Sequence, residues 1–327
     1  MNKIGDKKPV AEKVEKRRLA ERNPFKRNRT QAQSWIFLPN ELDRIRHAAQ
    51  GNRSEHFISL WHRVYDMRRL KRSFLKVKRK SAKGVDGKTW KEYSLNLKDN
   101  FENLSERLRK GTYRSGSVKR IYIPKGDGRQ RPIGIQVLED KIVQRSMDDV
   151  LSAIYEVDFP GFSYGFRPKR NQHKALDAVV ESIEGRKVNW VVDVGIRGFF
   201  DAIGHEWLIR FMEHRVKDKR VIRQIKKWLN AGVMEDRQWY KVEEGTPQGG
   251  SISPLLANIY LHYVSDLWSN SWRNRKASGD VVMVRFAGDM VLGFQYKHEA
   301  MHFLEELKSR FKKINFEAGQ GWENSRY

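Results

Sequence analysis

The stretch Val281–Phe294, VVMVRFAGDMVLGF, holds two apolar runs of strand length that meet at Phe286-Ala287-Gly288-Asp289. Short apolar and β-branched runs separated by a small turn predict a β-hairpin, here with an acidic tip. A second strand is expected at Trp190–Ile196, WVVDVGI, with Asp193 on it and Asp201 beyond it. Around these strands the apolar spacing becomes helical. It does so between Trp35 and Arg72 (Phe57, Leu60, Trp61, Val64, Tyr65) and over Asn100–Arg109, Glu139–Ile154, Trp207–Lys227, Ile252–Trp268 and Glu299–Lys313. Gly84-Val85-Asp86-Gly87 reads as a tight turn, and Arg120–Pro124 as one arm of a short hairpin that turns at Gly126-Asp127-Gly128 into Gln130–Ile135. Strands and helices mixed in this way predict an α+β fold.

The chain of 327 residues carries 65 Lys and Arg against 40 Asp and Glu, a net charge of +25. Such an excess favours a polyanionic partner, nucleic acid first, with a solvated surface or attraction to anionic lipid as the alternatives. There is no Cys, which excludes disulfides, Cys-ligated zinc and thiol chemistry and fits a reducing cytoplasm. No apolar run reaches the roughly 20 residues of a membrane span, and Met1–Thr30 is polar and basic with no apolar signal core. Residues 1–33 hold 11 Lys and Arg and little that could be buried, so a flexible basic tail is expected there. Arg68–Lys83 contains nine basic residues and no acid. That places Lys71, Arg72, Lys78, Arg79 and Lys80 as candidate phosphate contacts, against the alternative of a solvated helix face.

Gly245–His262, GTPQGGSISPLLANIYLH, is nearly the motif of group II intron reverse transcriptase-maturases, and other segments match that family in the same order. Lys119–Gln144 resembles the family's fingers segment, and Ser163–Leu176, SYGFRPKRNQHKAL, the block after it. The hairpin resembles the metal-binding box, usually Tyr-Ala-Asp-Asp. The resemblance implies the right-hand polymerase arrangement of fingers and palm. It assigns Lys125 and Arg131 to triphosphate or template phosphates, Gln248 to a polar contact with the nucleotide, Phe200 to selection of deoxynucleotides, and Arg167 to the template; His173 reads as structural. The implied cofactor is Mg²⁺, and the implied partners are structured intron RNA, DNA and deoxynucleotides. Polymerases of this kind hold two divalent ions with carboxylates from adjacent strands, because Mg²⁺ demands hard oxygen ligands.

Two positions depart from that pattern. The family's first acidic strand runs Asp-x-Asp-Ile-x-Gly-x-Phe-Asp, and this chain has Gly195 at the second Asp. In the hairpin, Phe286 replaces the Tyr and Gly288 the first Asp. Asp289 is the remaining carboxylate of the catalytic box, expected on the other face and at the periphery of the site. Asp193 shares a face with Gly195 but lies about 6.5 Å along the strand, too far to replace a ligand held near roughly 2.1 Å. Loss of polymerase activity is therefore expected.

The resemblance covers about residues 35–313, and 314–327 match nothing in the family, so no complete thumb is expected. Domain boundaries follow: a basic tail at 1–33, a helical extension at 34–117, fingers and palm at 118–313, and a divergent end at 314–327. Three functions compete. They are RNA-directed DNA polymerase activity, non-catalytic binding of intron RNA as a maturase would bind it, and a decayed remnant of a mobile element.

Overall fold

The computed structural model describes residues 39–124, 128, 130–196, 198–235, 238–241, 244–246, 249–314 and 324–326. Its elements begin with α1 (Pro39–Gly51), α2 (Trp61–Val64), α3 (Met67–Lys76), α4 (Trp90–Leu95), α5 (Leu97–Lys110), β1 (Val118–Pro124), β2 (Gln130–Ile135), α6 (Leu138–Asp158), α7 (Gln172–Glu184) and β3 (Trp190–Gly195). They continue with α8 (His205–Glu213), α9 (Lys219–Leu229), β4 (Val233–Glu235), β5 (Gln238–Tyr240) and α10 (Ser253–Leu261). A π-helical turn (His262–Asp266), α11 (Leu267–Arg275), β6 (Val281–Phe286), β7 (Asp289–Phe294), α12 (Lys297–Lys312) and β8 (Asn324–Arg326) complete the order. The mixture is α+β, as the spacing predicts. Two compact units interleave along the chain: Ile36–Asp158 with Phe200–Tyr260, and Phe159–Phe199 with the chain from Leu261 onward.

The first unit is organised by α6, whose Ile142, Val143, Met147, Val150, Leu151 and Ile154 are all fully buried. Helices α1 and α3 pack against it. Phe74 of α3 stacks on Trp90 with centroids 4.6 Å apart, and Tyr93 and Phe101 close the cluster. The expected helix over Trp207–Lys227 is broken in two. Asp218 caps α9 by accepting from Arg220 N, and it also accepts from the Leu60 and Trp61 amides at 2.8 and 2.9 Å. Those three bonds to one carboxylate fix the break. The sheet of this unit has the order β2-β1-β4-β5, antiparallel except where β1 runs parallel to β4.

The second unit holds an antiparallel sheet of order β6-β7-β3-β8. Strand β6 is buried on both faces, which is why Val281–Val284 read as a continuous apolar run rather than an alternation. Ala175 and Ala178 of α7 pack with Val284 of β6, and α12 packs on β3 and β7. The long helix expected over Ile252–Trp268 is interrupted by the π turn. Arg310 donates to the carbonyls of Val264 and Tyr263, taking up acceptors within that turn.

Candidate functional site

The hairpin forms as expected, with the two-residue turn Ala287-Gly288 and Phe286 paired to Asp289. Ala287 adopts φ 56°, a left-handed conformation that an alanine accepts only under constraint. The constraint is a buried arginine. Arg285, 1% exposed, donates from Nη1 to Ala287 O at 2.9 Å, from Nε and Nη2 to the two carboxylate oxygens of Asp266 at 2.7 Å each, and from Nη2 to Ser163 Oγ at 2.7 Å. Asp266, also buried, sits in the π turn. Main-chain bonds from Tyr164 N to Arg285 O and from Arg285 N to Phe162 O lay the Phe162–Tyr164 segment along β6, and Gly165 passes so close that a Cβ there would lie 2.3 Å from Ala287 N. Sequence reasoning missed Arg285 and Asp266. The signal was an arginine inside an apolar strand, a place where a cation survives only if paired.

On the other side of β7 lies β3, with Gly195 directly opposite Asp289 and Asp193 opposite Val291. Cross-strand partners share a face, so Asp289 stands on the same face as Gly195 and Asp193. This corrects the expectation that Asp289 is offset to the other face. A Cβ on Gly195 would lie 3.5 Å from Asp289 Oδ1, ordinary contact distance. Val192 and Val194, the alternate residues, are buried. The Asp289 carboxyl is held above the usual carboxylate range, by partial burial first and by the charge of Asp193 second. Gly288 is different: its Cβ would meet the Phe199 side chain at 3.2 to 3.3 Å. The ladder thus presents two like-charged carboxylates on one face. Among the described residues no three His, Cys, Asp or Glu side chains gather closely enough to hold a metal. These donors do not fit a two-ion site.

In the first unit, Gly245, Thr246 and Gly249 lie close to two backbones. Gly245, at φ +88°, would place a Cβ 2.9 Å from Asp201 Cα, and Thr246 N donates to Phe200 O at 2.8 Å. His205 Nε2 and Gly245 O are 2.6 Å apart. Gly249, at φ +108°, would place a Cβ 2.7 Å from Gly134 O of β2. The close backbone approach at Gly249 is therefore made to β2. A cavity of about 270 Å³ lies beside Gly245, lined by Arg120, Tyr122, Asp201, Trp228 and Thr246 among others. Phe200 is half-buried and Arg131 exposed, whereas Lys125 and Gln248 lie outside the described residues.

The candidate phosphate contacts divide by exposure. Lys71, Lys78, Arg79 and Lys80 are exposed and Arg72 is half-buried; Arg79 stacks over Trp90 at 5.2 Å. Arg167, in the second unit, is 7% exposed. Its Nη1 donates to Pro160 O and Ser163 O at 2.8 Å each, over the Phe159 ring. That guanidinium holds its own loop together. No helix among the described residues is long and apolar enough to cross a membrane.

The chain is 39% identical over 183 residues to the group II intron-encoded protein LtrA of Lactococcus lactis subsp. cremoris, covering 56% of this chain and 30% of the relative. It is 34% identical over 200 residues to protein YkfC of Escherichia coli K12, covering 60% of this chain and 52% of that one. It is 32% identical over 107 residues to nuclear intron maturase 2, mitochondrial, of Arabidopsis thaliana, covering 33% and 14%. The chain thus spans about half or less of the length of these relatives. The family described as reverse transcriptase (RNA-dependent DNA polymerase) matches residues 123–320, more than half of the chain, and the chain belongs to that family.

Proposed function

We propose that this chain is a nucleic-acid-binding protein of the group II intron reverse transcriptase type whose own polymerase chemistry is abolished or severely impaired. The single observation that carries the reading is the β3–β7 register. With Gly195 opposite Asp289 and Gly288 in the turn, the face that holds the ions in the family offers, among the described residues, Asp193 and Asp289 alone. Phosphoryl transfer rests almost wholly on positioning and charge stabilisation, so a face that holds no ion pair removes most of the rate enhancement. By the same resemblance the unit with the hairpin is the palm and the unit with β1 and β2 the fingers. Mg²⁺, deoxynucleotides and DNA belong to the ancestry. Lys125, Arg131, Phe200 and Gln248 are its nucleotide contacts.

RNA binding survives the loss of the metals. Lys71, Lys78, Arg79 and Lys80 form an exposed run without a neighbouring acid in sequence, and the chain's net charge of +25 favours a polyanion. The names of the relatives, an intron-encoded protein and an intron maturase, make structured intron RNA the partner to test. Primer extension with Mg²⁺ is expected to give no product. Incorporation that is reproducible and vanishes on Asp193→Ala would overturn the inactive reading. RNA affinity is expected to fall steeply with salt as bound phosphates release counterions; weak binding with a flat salt dependence would remove the binding reading.

A further inference from the structure

The two faces of the β2-β1-β4-β5 sheet are unlike. Pairing places Lys119, Ile121 and Ile123 of β1 on one face with Arg131 and Ile133 of β2, and Trp239 of β5 follows through Met234 of β4. The opposite face carries Arg120 with Tyr122 and Tyr240, also partly exposed but bonded through their hydroxyls to Glu235 and Gln238, and lines the cavity. The first face is open: Trp239 is 53% exposed and Ile123 48%, and Lys119 and Arg131 are exposed beside them. Apolar and aromatic groups flanked by cations, on a sheet of a strongly basic chain, complement a strand that has both bases and phosphates.

Trp239 is also held in place before any ligand arrives. Gly232, at φ +71°, leaves the space its Cβ would fill to the indole, which would lie 2.2 to 2.6 Å from that atom. The indole Nε1 donates to Ala231 O at 3.3 Å. A side chain fixed on one side and exposed on the other loses little conformational entropy on stacking. Met234 pairs with both Trp239 and Lys119, so the indole and the ammonium stem lie two strands apart, roughly 10 Å.

We propose that Trp239 is a stacking platform for an unpaired base of single-stranded RNA, with Lys119 neutralising a phosphate of the same strand. The proposal rests on the RNA-binding reading and adds to it a preference for unpaired RNA. The test measures binding of the full chain to a labelled single strand without self-complementarity and to a duplex of equal length, over a range of salt. Trp239→Ala is expected to weaken single-strand binding by about 5- to 100-fold with an unchanged salt slope and unchanged duplex binding. Trp239→Phe keeps a stacking ring and should retain most of the affinity, which separates stacking from misfolding. Lys119→Gln should lower the salt slope by about 1. Unaltered single-strand affinity in Trp239→Ala, or an equal loss on duplex, overturns the platform while leaving RNA binding intact. A parent chain that binds neither probe overturns both readings.

Discussion

Gly195 and Gly288 lie at one end of the same ladder, with Ile196 N donating to Gly288 O, yet their surroundings differ. Gly195 is a strand residue whose missing side chain would point toward Asp289 Oδ1 at an unstrained 3.5 Å. Gly288 is a turn residue whose missing side chain would press on Phe199 at 3.2 to 3.3 Å, and the buried Arg285 fixes the turn from behind. The first position is a vacancy in an acidic face. The second has been filled by packing. A carboxylate introduced at the first would need little rearrangement, whereas one introduced at the second must displace a buried aromatic.

The largest effect should come from releasing the clamp on the Gly288 side. Arg285→Met leaves Asp266 buried without its cation and frees Ala287 O, and breaking a buried ion pair from one side costs about 3–5 kcal/mol. Denaturant unfolding should register that loss. A loss no larger than that of a surface substitution would mean the clamp does not hold the turn, and the contrast between the two glycines would weaken.

Gly288→Asp should rank next, because forcing a side chain against a packed ring costs about 1–3 kcal/mol. Phe199→Leu offers the room. In the double variant the two losses should be less than additive, with a favourable coupling above roughly 0.5 kcal/mol between residues in contact. Strict additivity would show that Phe199 does not occupy the carboxylate's place.

The hairpin, the first acidic strand, most helices and the family were legible because each depends on local spacing: VVMVRF and DMVLGF fix their strands whatever surrounds them. The face of Asp289 was not legible. Alternation places Asp289 opposite to Met290, but only the β3–β7 register relates it to Gly195, and register is set by tertiary packing. The break at Asp218 was hidden for the same reason, since two of its three amide partners come from Leu60 and Trp61, far away in sequence. The partners of Arg167 within its own loop were not legible either. Its sequence context suggests a template contact, but its guanidinium is turned onto the carbonyls of Pro160 and Ser163. The cations at 71 and 78–80 remain exposed as a charged run should.

The smallest effect on stability, and the most informative about the acidic face, should follow Gly195→Asp. The new carboxylate would join Asp289 and Asp193 on one face, and mutual repulsion would raise the Asp289 pKa beyond its already elevated position. A carboxyl whose folded pKa lies above its unfolded one binds its proton more tightly when folded. Its stabilising contribution is therefore complete below the ordinary carboxylate range and is lost as pH rises through the elevated pKa. Gly195→Asp should accordingly match the parent in stability at acid pH and fall below it near neutrality. The groups are solvent-exposed enough for screening to keep the difference under about 1 kcal/mol. Mn²⁺ should reverse the deficit, because three carboxylates on one face supply the hard oxygen donors that two do not. Thermal unfolding of the parent and variant at both pH values, with and without Mn²⁺, measures this. A variant no more responsive to Mn²⁺ than the parent would show that a carboxylate at 195 does not complete a cation site on this face.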